Sequence, residues 1–111
     1  MKTTTKLSKN ENSAIQELKQ NVLNQYGLLQ MKIFGSKVRG DYDEHSDIDL
    51  LLVLREVNWQ IEKAISELCF EIGLKHDVLL SPVILSDDDI NDKLIQSTPF
   101  YRVIEKEGVI V

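Results

Sequence analysis

Cysteine is nearly absent from this 111-residue chain: Cys69 stands alone. A lone cysteine excludes an intramolecular disulfide and suits a reducing cytosol. No apolar run approaches the roughly 20 residues of a membrane span. Met1 to Lys6 lack the apolar centre of a secretory leader, so no membrane association is expected. Basic charge is also short. Thirteen Lys and Arg face eighteen Asp and Glu, for a formal net charge of −5. Without a basic field, a nucleic-acid backbone is not an expected partner. A nucleotide is a different matter, because a bound cation neutralises its phosphates locally. There is no internal repeat and no low-complexity block beyond Thr3 to Thr5. What is present, 42% hydrophobic and 28% charged residues, is the balance of a soluble globular protein. The length suits one domain with one modest core.

Taken in order, residues 1–10 read as a flexible polar tail, from which Leu7 could dock, and 11–111 as a single domain. A helix is expected from about Asn12 to Tyr26, on the spacing of Ile15, Leu18, Val22 and Tyr26, with Gly27 as its cap. Leu28 to Phe34 reads as a first strand with Leu29, Met31 and Ile33 on one face. A short helical turn follows from Gly35-Ser36 to near Gly40. The loop Asp41 to Ser46 leads into a second strand, Asp47 to Leu54, apolar on both faces beyond the aspartates and therefore central. A helix from about Asn58 to Ile72 carries the stripe Ile61, Ala64, Ile65, Leu68, Cys69 and Ile72, with Asn58 and Gly73 as caps. A third strand is expected over 75–85, at an edge or broken at Pro82. Ser86 caps a helix running to about Gln96. A last helix spans about Pro99 to Lys106 and stops at Gly108, ahead of the apolar tail Val109-Ile110-Val111. The fold class is α/β (α+β): a small mixed β-sheet with helices packed against it.

The chemistry concentrates between Phe34 and Leu54. Gly35 has no Cβ, so a phosphate can approach its backbone, and Ser36 adds a hydroxyl and an N–H where a helix begins. Ten residues, Lys37 to Ser46, separate Ser36 from Asp47. Asp47 and Asp49 alternate with Ile48 and Leu50, so both carboxylates leave one face of a strand. Their backbones lie roughly 6.6 Å apart, and converging side chains can share one divalent ion or bridge two ions about 3.5–4 Å apart. The bland alternative is a glycine turn followed by a strand whose aspartates face water.

The pattern Gly35-Ser36, ten residues, Asp47-x-Asp49 resembles the signature of the DNA-polymerase-β-like nucleotidyltransferases, and within them the small minimal nucleotidyltransferases. Many of these are antitoxins encoded beside a HEPN toxin. The resemblance implies the polymerase-β-like nucleotidyltransferase fold. It also implies transfer of a nucleoside monophosphate, AMP from ATP, with Mg²⁺, two ions being expected. Asp47 and Asp49 would be catalytic metal ligands. The family has a third carboxylate on the neighbouring strand, and Asp77 stands where it is expected. Gly35 and Ser36 would hold the triphosphate. Arg39 suits either a phosphate or the acidic cluster, and a structural role stays open. Lys37 is expected to be exposed. The acceptor would come from another molecule, a tyrosine of a partner HEPN toxin. Two alternatives stand beside this: a non-catalytic antitoxin acting by contact, and a small-molecule (aminoglycoside-type) nucleotidyltransferase. The residues leave oligomerisation open.

Other reactive side chains read more plainly. Asp41, Asp43 and Glu44 read as solvated loop acids. His45 and His76 lack zinc-ligand neighbours. Cys69 falls on the apolar stripe and reads as core. Trp59, Tyr42 and Tyr101 could stack on a base, with packing as the simpler reading.

Overall fold

A computed structural model describes residues 7–40 and 47–111. Four strands form one mixed sheet in the order β3-β2-β1-β4. In chain order the elements are α1 (Lys9–Tyr26), β1 (Leu28–Phe34), α2 (Ser36–Arg39), β2 (Ile48–Leu54) and α3 (Trp59–His76). They continue with β3 (Leu80–Ser86), α4 (Asp87–Ile90), α5 (Lys93–Gln96), α6 (Pro99–Glu107) and β4 (Val109–Ile110). β2 runs parallel to β3 and antiparallel to β1, which pairs antiparallel with β4. The apolar tail is therefore an edge strand, and the Val111 N–H donates to the Met31 carbonyl at 3.1 Å.

β2 is central, as its doubly apolar pattern implies. Ile48, Leu50, Leu52 and Leu54 face α1 and α3, in a core with Ile15, Leu18, Val22, Ile65, Cys69 and Ile72. Leu51 and Val53 face the other way, onto Phe34 and Ile104, with Val83, Leu85 and Ile90 around them. Phe34 meets Phe100 of α6 edge-on, ring centroids 5.8 Å apart. One face of the sheet thus carries the two long helices, and the other carries α6. Pro82 lies on β3, whose outer edge has no neighbour in the sheet, so its missing N–H costs no ladder bond. Among the described residues no helix is long and apolar enough to cross a membrane.

The structure differs from the sequence expectation in several places. α1 begins at Lys9, because Ser8 and Glu11 form a reciprocal capping box. Leu7 packs on the core. Leu7 to Asn10, read as tail, therefore belong to the domain; the rest of that tail lies outside the described residues. In β1 the pairing shifts between Leu28 and Gln30, and this irregularity leaves Leu29 exposed rather than on the Met31 and Ile33 face. α3 runs past Gly73 to His76. Gly73 is needed for close packing instead: a Cβ there would meet the Val78 carbonyl oxygen at 2.6 Å. The helix expected from Ser86 to Gln96 is divided at Asn91-Asp92, where Asp92 caps α5 through the Leu94 N–H.

Lys37 also overturns its expectation. Its side chain is only 2% exposed and pairs with Glu11 Oε2 at 2.6 Å. Glu11 thus caps α1 through one oxygen and holds α2 through the other. Burial pushes its carboxyl up, but the Lys37 and Ser8 hydrogen bonds outweigh this and hold it below the ordinary carboxylate range. A lowered carboxyl stabilises the fold above its unfolded value, and that stability is lost as pH falls through the folded one. Glu11→Gln keeps the capping geometry and removes the charge. It is expected to lower stability at neutral pH by about 1–3 kcal/mol, read by urea denaturation. The gap from wild type should close as the pH drops below the carboxylate range.

Candidate active site

β1 ends where β2 begins, since the two are antiparallel and Phe34 pairs with Asp49. This brings the turn after β1 beside the Asp-x-Asp segment. Gly35 sits at φ 82°, a left-handed value that favours glycine. A Cβ built on Gly35 would overlap the Asp49 carboxylate and lie 3.2 Å from its Cγ. Conformation and space both demand glycine here.

Ile48, completely buried against the α1 and α3 layer, separates Asp47 from Asp49. Strand alternation then sends Asp49 to the opposite face, and Asp47, one residue before β2, is near enough for its charge to act on Asp49. Asp47 is exposed and Asp49 half-buried. Burial, and then the negative charge of Asp47, raise the Asp49 carboxyl above its ordinary range, against a smaller lowering by Arg39. Two crowded carboxylates, one of them reluctant to ionise, form a donor set that a hard divalent cation would satisfy through oxygen. The residues present therefore fit Mg²⁺.

The turn itself is held from α6. The Gly35 N–H donates to Glu107 Oε1 at 3.2 Å, and Arg39 Nη1 donates to the same oxygen at 2.9 Å. Ser36, half-buried, opens α2, and its carbonyl accepts from the Gly40 N–H at 2.9 Å. The structure thus groups Gly35, Ser36, Arg39, Asp47 and Asp49 at one end of the sheet.

Asp77 does not join them. It is the exposed left-handed residue that ends α3, at φ 58°, three positions before β3. α3 packs on the face opposite the one Asp49 presents. Opposite Asp49 across the parallel pair stands Ser81, not a carboxylate. Among the described residues no three His, Cys, Asp or Glu side chains gather as a metal site. The physical reason is the continuation of α3 beyond Gly73, which takes up the residues expected to start the strand.

Sequence reasoning missed Glu11 and Glu107. Neither stands in a local pattern with the turn: the Glu107 bonds span 72 and 68 positions. His76 Nε2 lies 2.8 Å from Glu17 Oε1 and ties α3 to α1. Cys69 is core, its thiol pushed up to about 12 by burial. Trp59 is exposed at the start of α3, and Tyr101 is half-buried on α6. Asp41, Tyr42, Asp43, Glu44 and His45 lie outside the described residues. An apolar groove is lined by Phe70 and Leu74 of α3 and by Val78, Leu79 and Leu80, which lead into β3.

With this geometry in hand, the chain matches the family described as the nucleotidyltransferase domain over residues 13–111. Two proteins of Methanocaldococcus jannaschii, each named "putative protein adenylyltransferase", are similar. One is 39% identical over 80 residues, 71% of this chain and 74% of the relative. The other is 33% identical over 104 residues, 92% of this chain and 98% of the relative. Among solved structures, the fold resembles a chain of the toxin–antitoxin MntA–HpeT, with a TM-score of 0.60 and 21% identity, covering 96% of this chain and 72% of that one. It also resembles a protein described as a "putative minimal nucleotidyltransferase", with a TM-score of 0.58 and 21% identity, covering 90% of this chain and 92% of that one. A toxin–antitoxin solved with AMP-PNP gives a TM-score of 0.57 at 18% identity, covering 88% and 69%. At these identities the structural likeness concerns the fold.

An acid whose folded pKa is raised costs stability as pH rises through it. In metal-free buffer, Asp49→Asn should therefore stabilise the fold at neutral pH, by about 1 kcal/mol or less because the group is half-open to solvent. The gain should vanish as pH falls below the ordinary carboxylate range. Thermal denaturation across that range checks the sign.

Proposed function

Because this chain belongs to the nucleotidyltransferase domain family, we propose that it transfers AMP from ATP, with Mg²⁺, to a hydroxyl of a partner protein, a tyrosine of a HEPN toxin whose antitoxin it is. What supports this reading is the approach of Asp49 to the glycine turn, with Asp47 near enough to raise its carboxyl and Ile48 buried between them. The names of the similar proteins support a protein as acceptor. The structural neighbours support a toxin partner and a nucleotide ligand.

In the reaction the acceptor oxygen forms a bond to the α-phosphorus, the bond from that phosphorus to the bridging oxygen breaks, and pyrophosphate leaves. The hydroxyl proton passes to a base or to water. Mg²⁺, when bound, neutralises the departing pyrophosphate and makes the acceptor hydroxyl more acidic. Asp47 and Asp49 hold that charge in place, fixed by a strand whose remaining residues are core. Gly35, without a Cβ, lets the Asp49 carboxylate lie against the turn. The Gly35 N–H and the Arg39 guanidinium present donors suited to phosphate oxygens. Ser36, next to Gly35, adds its hydroxyl to the same turn. Asp77 is left out, since it ends α3 on the other side of the sheet.

Two measurements test this reading. In calorimetry, ATP should bind with Mg²⁺ and lose most of its affinity in EDTA, because a bare triphosphate meets two carboxylates. Equal affinity in EDTA would count against a metal-bridged site. The second replaces Asp47 and Asp49 together with Asn, which keeps side-chain size and removes the hard ligands. Labelling of the co-expressed toxin from labelled ATP should drop by about two orders of magnitude or more, while complex formation persists. Full neutralisation of the toxin by the double variant, without transfer, would favour a contact antitoxin instead.

A further inference from the structure

We propose that Glu107 sets the nucleotide affinity of this site: its carboxylate sits where a phosphate group of the nucleotide binds, and the triphosphate docks by displacing it. The inference rests on the adenylyl-transfer reading above and adds to it a residue that opposes binding. One oxygen, Glu107 Oε1, accepts both the Gly35 N–H at 3.2 Å and Arg39 Nη1 at 2.9 Å. A main-chain N–H and a guanidinium converging on one anionic oxygen is the environment a phosphate oxygen takes. Both donors belong to the turn beside Asp49. A phosphate and the carboxylate cannot share the same two donors, and like charge adds to the exclusion.

The release is confined to the side chain. Glu107 is the last residue of α6, and the backbone beyond it is pinned. The Gly108 N–H donates to the Ile104 carbonyl at 2.8 Å, and β4 pairs with β1 through Val109 and Ile110. A Cβ on Gly108 would meet Ile104 O at 2.5 Å and Lys32 Cδ at 3.1 Å, so this segment has no slack. The Glu107 side chain is 22% exposed, and rotation about its own bonds carries the carboxylate to water. Two residues earlier, Glu105 offers an internal contrast. It is 54% exposed and pairs with Lys32 at 3.3 Å, not with the turn.

The test is calorimetric titration of the full chain with Mg-ATP and, separately, with Mg-tripolyphosphate, which presents the phosphate tail alone. Glu107→Gln keeps the size and removes the charge, and Glu107→Ala removes the group. Both are expected to tighten binding of both probes by about ten-fold, as loss of a charge-assisted competitor implies. Glu105→Gln, which changes net charge equally, should leave affinity within about two-fold. In wild type, the Gly35 amide resonance should shift on saturation and, without ligand, in Glu107→Gln. Unchanged or weaker binding by folded Glu107 variants overturns the proposal while the transfer reading stands. An equal gain in Glu105→Gln also overturns it, by assigning the effect to net charge. If no chain binds either probe while the Gly35 resonance still reports the Glu107 contact, the transfer reading fails and the competitor role falls with it.

Discussion

The backbone of Gly35 lies against the carboxylate of Asp49, and the rest of the site follows from that approach. It requires β1 to end level with the start of β2, which their antiparallel pairing through Phe34 and Asp49 supplies. It requires a residue without Cβ that is at ease at φ 82°. It also requires β2 to be immovable, since sliding its register by one residue would exchange Asp49 for Ile48 or Leu50. Burial of Ile48, Leu50, Leu52 and Leu54 under α1 and α3 prevents that slide. The two long helices therefore fix the position of Asp49 from the far side of the sheet.

This constraint explains which parts of the molecule were legible in the sequence. Strand alternation set Asp49 on the face opposite Ile48 and Leu50, because period two is a local property of the chain. Caps at Asn58, Ser86 and Gly27, the central position of β2 and the edge position of Pro82 were legible for the same reason. Gly73 was ambiguous in principle. A glycine near a helix end serves equally as a cap or as a gap for a crossing backbone, and here the Val78 carbonyl fills the gap. That single ambiguity moved the start of β3 and separated Asp77 from the other acids. Leu29 was misplaced by a local pairing irregularity that no periodicity announces. The roles of Lys37, Glu11 and Glu107 depend on partners far along the chain, where composition and spacing carry no signal.

The cations near the turn complete the picture. Of the cations on β1 and α2, Arg39 acts on Asp49 but also meets Glu107, while Lys32 and Lys37 meet Glu105 and Glu11. Their positive charge is thus shared with acids delivered by α1 and α6. The consequence appears at Asp49, where burial and Asp47 outweigh the pull of Arg39 and the carboxyl is raised rather than lowered. Had these cations been devoted to the aspartates, the pair would be close to neutral and a poor ligand for a divalent ion. Engaging them elsewhere preserves a negative end on the sheet, in a molecule already at −5. Such an end repels a bare triphosphate and welcomes one that arrives with its metal. On the proposed reading, this negative end would make a cation a condition of nucleotide binding, with Glu107 on the donors that the nucleotide would use.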